Sequence, residues 1–284
     1  MTETSVLPEN EEAQRAWDGV LFDRFLQFRH LIVALAQHGE TAMRAFPPPA
    51  GARILDIGCG FGDSSLQLAH LAGPEGSVLG VDISPRFVEA ARADAVGGTC
   101  FEAVDVQAAT FDQTFDYAFS RFGTMFFANP VAALRNIHGA LAPGGRLVMV
   151  VWRKREDNPW MYVAEQVVKP LVEIPEETDE ARCGPGPFSM ANADTVSMQL
   201  QLAGFRDVSF LRSDLPIVLG RDLDEAIEFN LALGPAAEAV RLAGEEGDAM
   251  RPRLAELLRP ALAQFETEGG VVAGSSVWVV TASA

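Results

Sequence analysis

The sequence predicts an α/β fold: a doubly wound, mostly parallel sheet of seven strands, with helices ahead of it and helical insertions near its end. Three observations carry this expectation. Short apolar runs rich in Val, Ile and Leu recur between residues 53 and 152, separated by single helix-length segments, which is the rhythm of right-handed βαβ crossovers. Most of these runs lack polar alternation, as strands covered on both faces require. A glycine-rich turn, Ile54-Leu55-Asp56-Ile57-Gly58-Cys59-Gly60-Phe61-Gly62, stands where the first run meets the first helical segment. Open parallel sheets bind ligands beyond the carboxyl ends of their strands.

Residues 1–14 are polar and read as a loose tail. Apolar positions at helical spacing (Trp17, Leu21, Phe25, Phe28, Ile32, Leu35) predict one or two amphipathic helices over 15–45. Pro47, Pro48 and Pro49 stop them, because proline has no N–H to continue a helix. Strands are expected at Arg53–Ile57, Ser77–Asp82, Cys100–Val104, Phe115–Ser120 and Arg146–Trp152. Helices are expected over about Asp63–Leu71, Pro85–Val96 and Pro130–Leu141, the last closed by Pro143-Gly144-Gly145. Beyond Trp152 the rhythm breaks. The acidic, proline-rich stretch from Ile174 to Thr178 and the turn Cys183-Gly184-Pro185-Gly186-Pro187 read as part of an insertion or lid over 153–190. A helix over Ala193–Ala203, a sixth strand at Asp207–Arg212, helices over 222–268 broken near Gly234, Gly244–Gly247 and Pro252, and a last strand at Ser276–Thr281 complete the chain. The expected division is a helical cap (1–46), a ligand-binding core (47–152), lid insertions with the sixth strand (153–275) and the last strand (276–284).

The bulk numbers bound the function. A chain of 284 residues with 48% hydrophobic and 21% charged side chains is globular and can bury a core. A net charge of −17 repels phosphate backbones and anionic membranes, so neither nucleic acid nor membrane is an expected partner. Cys59, Cys100 and Cys183 are odd in number and widely spaced, which makes neither a disulfide framework nor a metal pattern, and no metal is expected. The start lacks the layout of a signal peptide, and no apolar run is long enough to span a bilayer, so the expected location is the cytoplasm. Monomer and homodimer are both open.

The glycine turn does not fit a nucleotide phosphate. A dinucleotide fingerprint wants a third glycine where Asp63 stands, and no lysine or arginine lies between Arg53 and Arg86 to meet a pyrophosphate. Instead Asp56 ends the first strand and Asp63 opens the helix. Carboxylates there suit a ligand bearing an ammonium or a sulfonium. Gly58 and Gly60 would allow a sharp bend and close approach of a ligand. Asp82, about twenty residues on at the tip of the second strand, can accept both hydroxyls of a ribose. Asp105, at the tip of the third, could accept from an adenine amino group, with Ile83 and Val106 sandwiching the ring.

As a set, Asp56–Gly62, Asp82 and Asp105 resemble the first three cofactor motifs of the class I, Rossmann-like S-adenosylmethionine-dependent methyltransferases. Phe115–Ser120 resembles the fourth-strand motif, and Leu141–Leu147 the turn before strand five. The spacing is similar to the small-molecule branch that includes the ubiquinone/menaquinone-biosynthesis type. The resemblance covers residues 50–152 and extends loosely to the last strand, which in that family runs antiparallel beside strand five. It implies S-adenosyl-L-methionine as cofactor, contacted by Asp56, Gly58, Cys59, Gly60, Asp82, Ile83, Asp105 and Val106, with Ser120 and Arg121 near its methionine part.

Methyl transfer by direct displacement needs alignment and water exclusion more than acid–base groups, and no compelling base stands out. His30, on the N-terminal helices, is the candidate retained. Trp17 and Phe22 could cap the cofactor, Phe122 could face the methyl group, and Trp152 and Trp160, with Tyr162, Phe188 and Phe229, could line an aromatic pocket. The expected activity is methylation of a small, mostly apolar or aromatic metabolite. The alternatives are a protein of this fold that uses the cofactor for non-methylating chemistry and one that binds it in a regulatory role. A nucleic-acid methyltransferase is disfavoured by charge and by Ser120-Arg121-Phe122-Gly123 in place of an Asn/Asp-Pro-Pro-aromatic loop.

Overall fold

In the computed structural model, residues 6–174 and 181–284 are described. The sheet order is β3-β2-β1-β4-β5-β8-β6, built from β1 (Arg53–Ile57), β2 (Ser77–Asp82), β3 (Thr99–Ala103), β4 (Phe115–Arg121), β5 (Leu141–Trp152), β6 (Arg206–Gly220) and β8 (Gly270–Ser283). A two-residue strand, β7 (Glu266–Thr267), pairs with the start of β8. β1 to β5 are parallel, while β8 runs antiparallel to both β5 and β6. This is the doubly wound, mostly parallel sheet with an antiparallel last strand. β1 sits at the reversal of strand order, so its carboxyl end opens onto the crevice where ligands bind.

The centre of the sheet is sealed on both faces. Ile54, Leu55, Phe119 and every residue from Leu147 to Val151 are fully buried, which accounts for their unbroken apolar runs. Tyr117 is also fully buried, and its hydroxyl donates to the Phe46 carbonyl at 2.7 Å. That bond ties the end of α4 (Ala36–Ala45) to the sheet. Helix starts follow local chemistry. Ser84 caps α6 (Pro85–Ala93), and Asn129 caps α7 (Pro130–Ala140) by accepting from the Ala132 amide. Both place proline in the first turn, where its missing N–H is not needed.

Several boundaries differ from the sequence expectation. β6 runs to Gly220 rather than Arg212, because its partner β8 begins at Gly270, and Pro216 is tolerated on this outermost strand. The Pro143-Gly144-Gly145 turn lies inside β5 as an irregularity, held by Gly144 and Gly145 pairing with Ala284 at the chain end. Pro252 does not break α12 (Gly244–Leu262); Leu254, Leu258 and Leu262 bury one face of that helix completely. The expected lid contains α8 (Pro159–Val168), which carries Trp160 and Met161 inward. Most of the acidic stretch from Ile174 to Thr178 lies outside the described residues. The supposed tail is held from Leu7 onward, since Leu7 and Asn10 bond to Asp105 on the far side of the crevice. The helices after it are interrupted, with a π turn at Trp17–Leu21 and Gly19 out of helical conformation. No helix among the described residues is long and apolar enough to cross a membrane.

Candidate cofactor and acceptor site

A cavity of about 690 Å³ opens at the carboxyl ends of β1, β2 and β4. The glycine turn forms its floor, but for reasons other than ligand approach alone. Gly58, Gly60 and Gly62 all have positive φ. A Cβ at Gly58 would stand 2.9 Å from the Gly123 Cα, so the β1 tip packs directly on the loop after β4. The Gly58 and Cys59 amides both donate to the Val81 carbonyl, and the Gly60 amide donates to Asp82 Oδ2 at 3.0 Å. These donors are engaged within the protein, so the turn is a poor phosphate cradle despite its glycines.

Asp82 lines the cavity, each carboxylate oxygen holding one backbone N–H, from Gly60 and from Ser84. A carboxylate has about four acceptor positions, so lone pairs remain for two hydroxyl donors. Burial pushes its carboxyl up to about 6, against those two hydrogen bonds. Ile83 and Val106 line the cavity beside Asp105. Asp105 is 3% exposed and already accepts from the Leu7 amide, the Asn10 side chain and the Gln107 amide.

Asp56 does not reach the cavity. It is fully buried, and its Oδ2 accepts from Ser64 and Ser65 at 2.7 and 2.6 Å, tying the first turn of α5 (Asp63–Ala72) to β1. Burial raises its carboxyl above the ordinary range. The cavity carboxylate at this corner is Asp63, which accepts from Arg29 at 3.5 Å. Ser120 is likewise buried away from the cavity, and its hydroxyl donates to the Ile57 carbonyl.

Arg121 carries a charge that is left unpaired among the described residues. It lines the cavity, its Nη1 is sealed from solvent, and it makes no hydrogen bond or ion pair among the described residues. Desolvation lowers its guanidinium from the usual value, and the more distant carboxylates of Asp56, Asp63 and Glu40 push it back up. A half-buried, largely desolvated cation without a partner is costly, and it could accept a ligand carboxylate.

The other end of the cavity is aromatic. Phe122 and Trp152 stack at 4.3 Å with their planes 15° apart, and Trp160 stacks on Phe229 at 5.8 Å. Phe122 has φ 64°, a conformation that costs a bulky residue roughly 1–3 kcal/mol. Its amide donates to the Val150 carbonyl, and this bond with the Trp152 stack holds it there. Trp17 also lines the cavity, where it donates to the Cys183 carbonyl and meets Phe126 edge-on.

Phe22 and Tyr162 do not line it. Phe22 is buried against Phe61 and Phe87 beneath Arg86, because the interrupted helix turns it inward beside α6. His30 is not at the site either. It sits on the surface, 55% exposed, against Glu225. The histidine behind the aromatic pair is His38, fully buried, with Nε2 2.8 Å from Ser275 Oγ and its pKa lowered to about 4 by burial. Sequence periodicity could not single out His38, because Ser275 is 237 positions away.

The crevice at the strand tips thus sets cavity carboxylates, an unpaired guanidinium and an aromatic chamber side by side, an arrangement that could hold a nucleoside bearing an amino acid next to a flat group. A family model described as a methyltransferase domain matches residues 49–204, more than half of the chain, and the chain belongs to that family. Phosphoethanolamine N-methyltransferase of Triticum aestivum is 28% identical over 162 residues, covering 56% of this chain and only 28% of that protein. Demethylmenaquinone methyltransferase of Staphylococcus carnosus is 25% identical over 191 residues, covering 62% of this chain and 78% of that protein. Phosphoethanolamine N-methyltransferase 2 of Haemonchus contortus, solved with S-adenosyl-L-methionine, shares the fold with a TM-score of 0.56 at 17% identity, covering 98% of this chain and 60% of that one.

Proposed function

We propose that this protein moves the methyl group of S-adenosyl-L-methionine to a small, mostly apolar or aromatic metabolite by direct displacement. The observation that carries this reading is the continuity of one cavity from Asp82 to the stacked Phe122–Trp152 and Trp160–Phe229 pairs. Acidic groups at the aromatic end are neutralised within the chain: Glu165 by Arg155 and Lys169, Glu238 by Arg241. That leaves flat apolar surface to bind the acceptor, which favours a neutral ring over a charged amine.

When bound, the cofactor supplies a methyl carbon on a sulfonium, an already activated leaving group. The chain's own groups align and desolvate. Asp82 accepts the ribose hydroxyls, Ile83 and Val106 flank the base, Arg121 takes the carboxylate and Asp63 the ammonium. Phe122 and Trp152 exclude water at the reacting end and present a flat wall to the acceptor. No histidine stands in the cavity wall among the described residues, so the reading assigns no general base.

The test is transfer of labelled methyl from the cofactor into a panel of neutral aromatic metabolites and of charged aliphatic amines such as phosphoethanolamine. Label in the aromatic set supports the reading. Label only in the charged amines would overturn the acceptor class.

Asp82 makes cofactor affinity pH-dependent. Ribose hydroxyls donate to the ionised carboxylate, so binding is full above about pH 7 and weakens as the group protonates through about 6. S-adenosylhomocysteine should bind roughly tenfold more weakly at pH 5 than at pH 7 by calorimetry, with most of that dependence gone in Asp82→Asn. The effect on folding has the opposite sense. A carboxyl raised above its unfolded value contributes stability below that value and loses it as pH rises through about 6. Affinity that is flat from pH 5 to 7 would remove Asp82 from the ribose.

A further inference from the structure

Arg24, on α2 (Phe22–Gln27), lines the cavity together with Phe229, Ala232 and Glu238 at its aromatic end. Its Nη1 donates to the Ala232 carbonyl at 3.3 Å, one turn beyond Phe229 on α10 (Leu223–Ala232). That bond meets the negative end of the helix and engages one of the five N–H donors of a guanidinium. Arg24 makes no ion pair among the described residues. The two carboxylates whose fields reach it are taken by other arginines. Glu238 accepts from Arg241 through both oxygens, each at 2.9 Å, and Asp248 accepts from Arg251 at 2.7 Å. Burial, and after it the like charges of Arg251 and Arg241, lower the Arg24 guanidinium from its usual value, against the pull of Glu238 and Asp248. Arg155, Lys169 and Arg182 border the same end, where Glu165 is shared between Arg155 and Lys169. In a chain of net charge −17, this end of the cavity therefore carries a local surplus of positive charge. The strand-tip end is the reverse, with Asp63, Asp82 and Asp105 against Arg121.

We propose that the methyl acceptor carries an anionic group, a carboxylate on a flat apolar body, and that Arg24 holds this group while the body lies against the aromatic pairs. This rests on the acceptor reading above and narrows it, from flat and apolar to flat, apolar and acidic at one edge. A guanidinium presents a planar fork of N–H groups, which a carboxylate meets with two charge-assisted bonds and a carboxamide with its single oxygen. Arg24 also borders a second cavity, on the side of α12, with Arg251, Phe28 and Leu231. An anion captured there would owe nothing to the rings of the chamber, since Phe229 lines the first cavity and not the second.

The experiment is calorimetric binding of 2-naphthoate and its uncharged counterpart, 2-naphthamide, to the full chain saturated with S-adenosylhomocysteine, and to Arg24→Gln, Arg24→Lys and Phe229→Leu. The unaltered protein is expected to prefer the acid by at least about tenfold. In Arg24→Gln, whose amide can still donate to the Ala232 carbonyl, the ratio should fall to within about threefold. Phe229→Leu should weaken both compounds by about fivefold at an unchanged ratio. Equal binding of the two compounds by the unaltered protein would overturn this proposal alone. So would a preference for the acid that survives Arg24→Gln, the result expected if another cation holds the group. So would undiminished affinity for the acid in Phe229→Leu, the result expected of an anion held in the second cavity. If Arg24→Gln does not fold, Arg24→Lys decides, because it keeps the charge without the fork. A smaller preference there supports the proposal and an unchanged one overturns it. Binding of neither compound, with S-adenosylhomocysteine still bound, would overturn the aromatic acceptor reading itself, and this proposal with it.

Discussion

Arg121→Met should weaken binding of S-adenosylhomocysteine by roughly a hundredfold while leaving the fold at least as stable as before. The two effects have one cause. Arg121 ends β4 with its stem packed against α4, where a Cβ added at Gly39 would lie 3.0 Å from the Arg121 Cδ. Its guanidinium has no partner among the described residues, and desolvation outweighs the support of Asp56, Asp63 and Glu40. Methionine fills much the same volume without the charge, so the unliganded protein is relieved of an uncompensated cation, a gain of about 1 kcal/mol or more. A charge-assisted pair with the ligand's carboxylate is lost, about 2–3 kcal/mol. Calorimetry and thermal unfolding read the two separately. Unchanged affinity together with a clear loss of stability would show that Arg121 serves the fold rather than the ligand.

Asn158→Leu should destabilise the protein by about 3–4 kcal/mol and lower Tm by about 8 °C in a chain of this size. Asn158 is fully buried. Its Nδ2 donates to the Lys154 and Ser276 carbonyls at 3.1 and 3.0 Å, and its Oδ1 accepts from the Ser276 amide at 2.9 Å. The side chain thereby extends the β5–β8 ladder beyond its last register pair, Trp152 with Val277. Leucine matches its volume but leaves the Ser276 amide buried and unmet. Because Asn158 immediately precedes α8, the loosened turn should also misplace Trp160 and reduce methyl transfer. A Tm within 2 °C of the unaltered protein would mean that water replaces the asparagine.

Much of the scaffold was legible because local chemistry encodes it. The short runs at residues 54–57 and 147–151, rich in Ile, Leu and Val and bounded by turn signals, fit strands buried on both faces, and Pro85 after Ser84 starts a helix by its own geometry. The reversal of strand order beside the glycine turn follows from such a sheet, and with it the presence of Asp82 in the crevice. Asp56 and Ser120 satisfied the same local pattern yet point into the protein. A strand-end side chain can face the crevice or the next helix, and Ser64 and Ser65 capture one of these two residues while the Ile57 carbonyl captures the other.

The linear order of residues therefore determined the class of fold, the crevice and the kind of ligand it serves, since strand, turn and helix signals act over a few neighbouring positions. The tertiary structure alone decided which side chains complete the site. Asn10 reaches Asp105 across 95 positions, Trp17 reaches Cys183 across 166, and Asn158 reaches Ser276 across 118. A hydrogen bond between segments so far apart leaves no periodicity or spacing in either one. The polar tail, the isolated asparagine and the unpaired arginine acquire their roles only when the sheet brings them to one cavity.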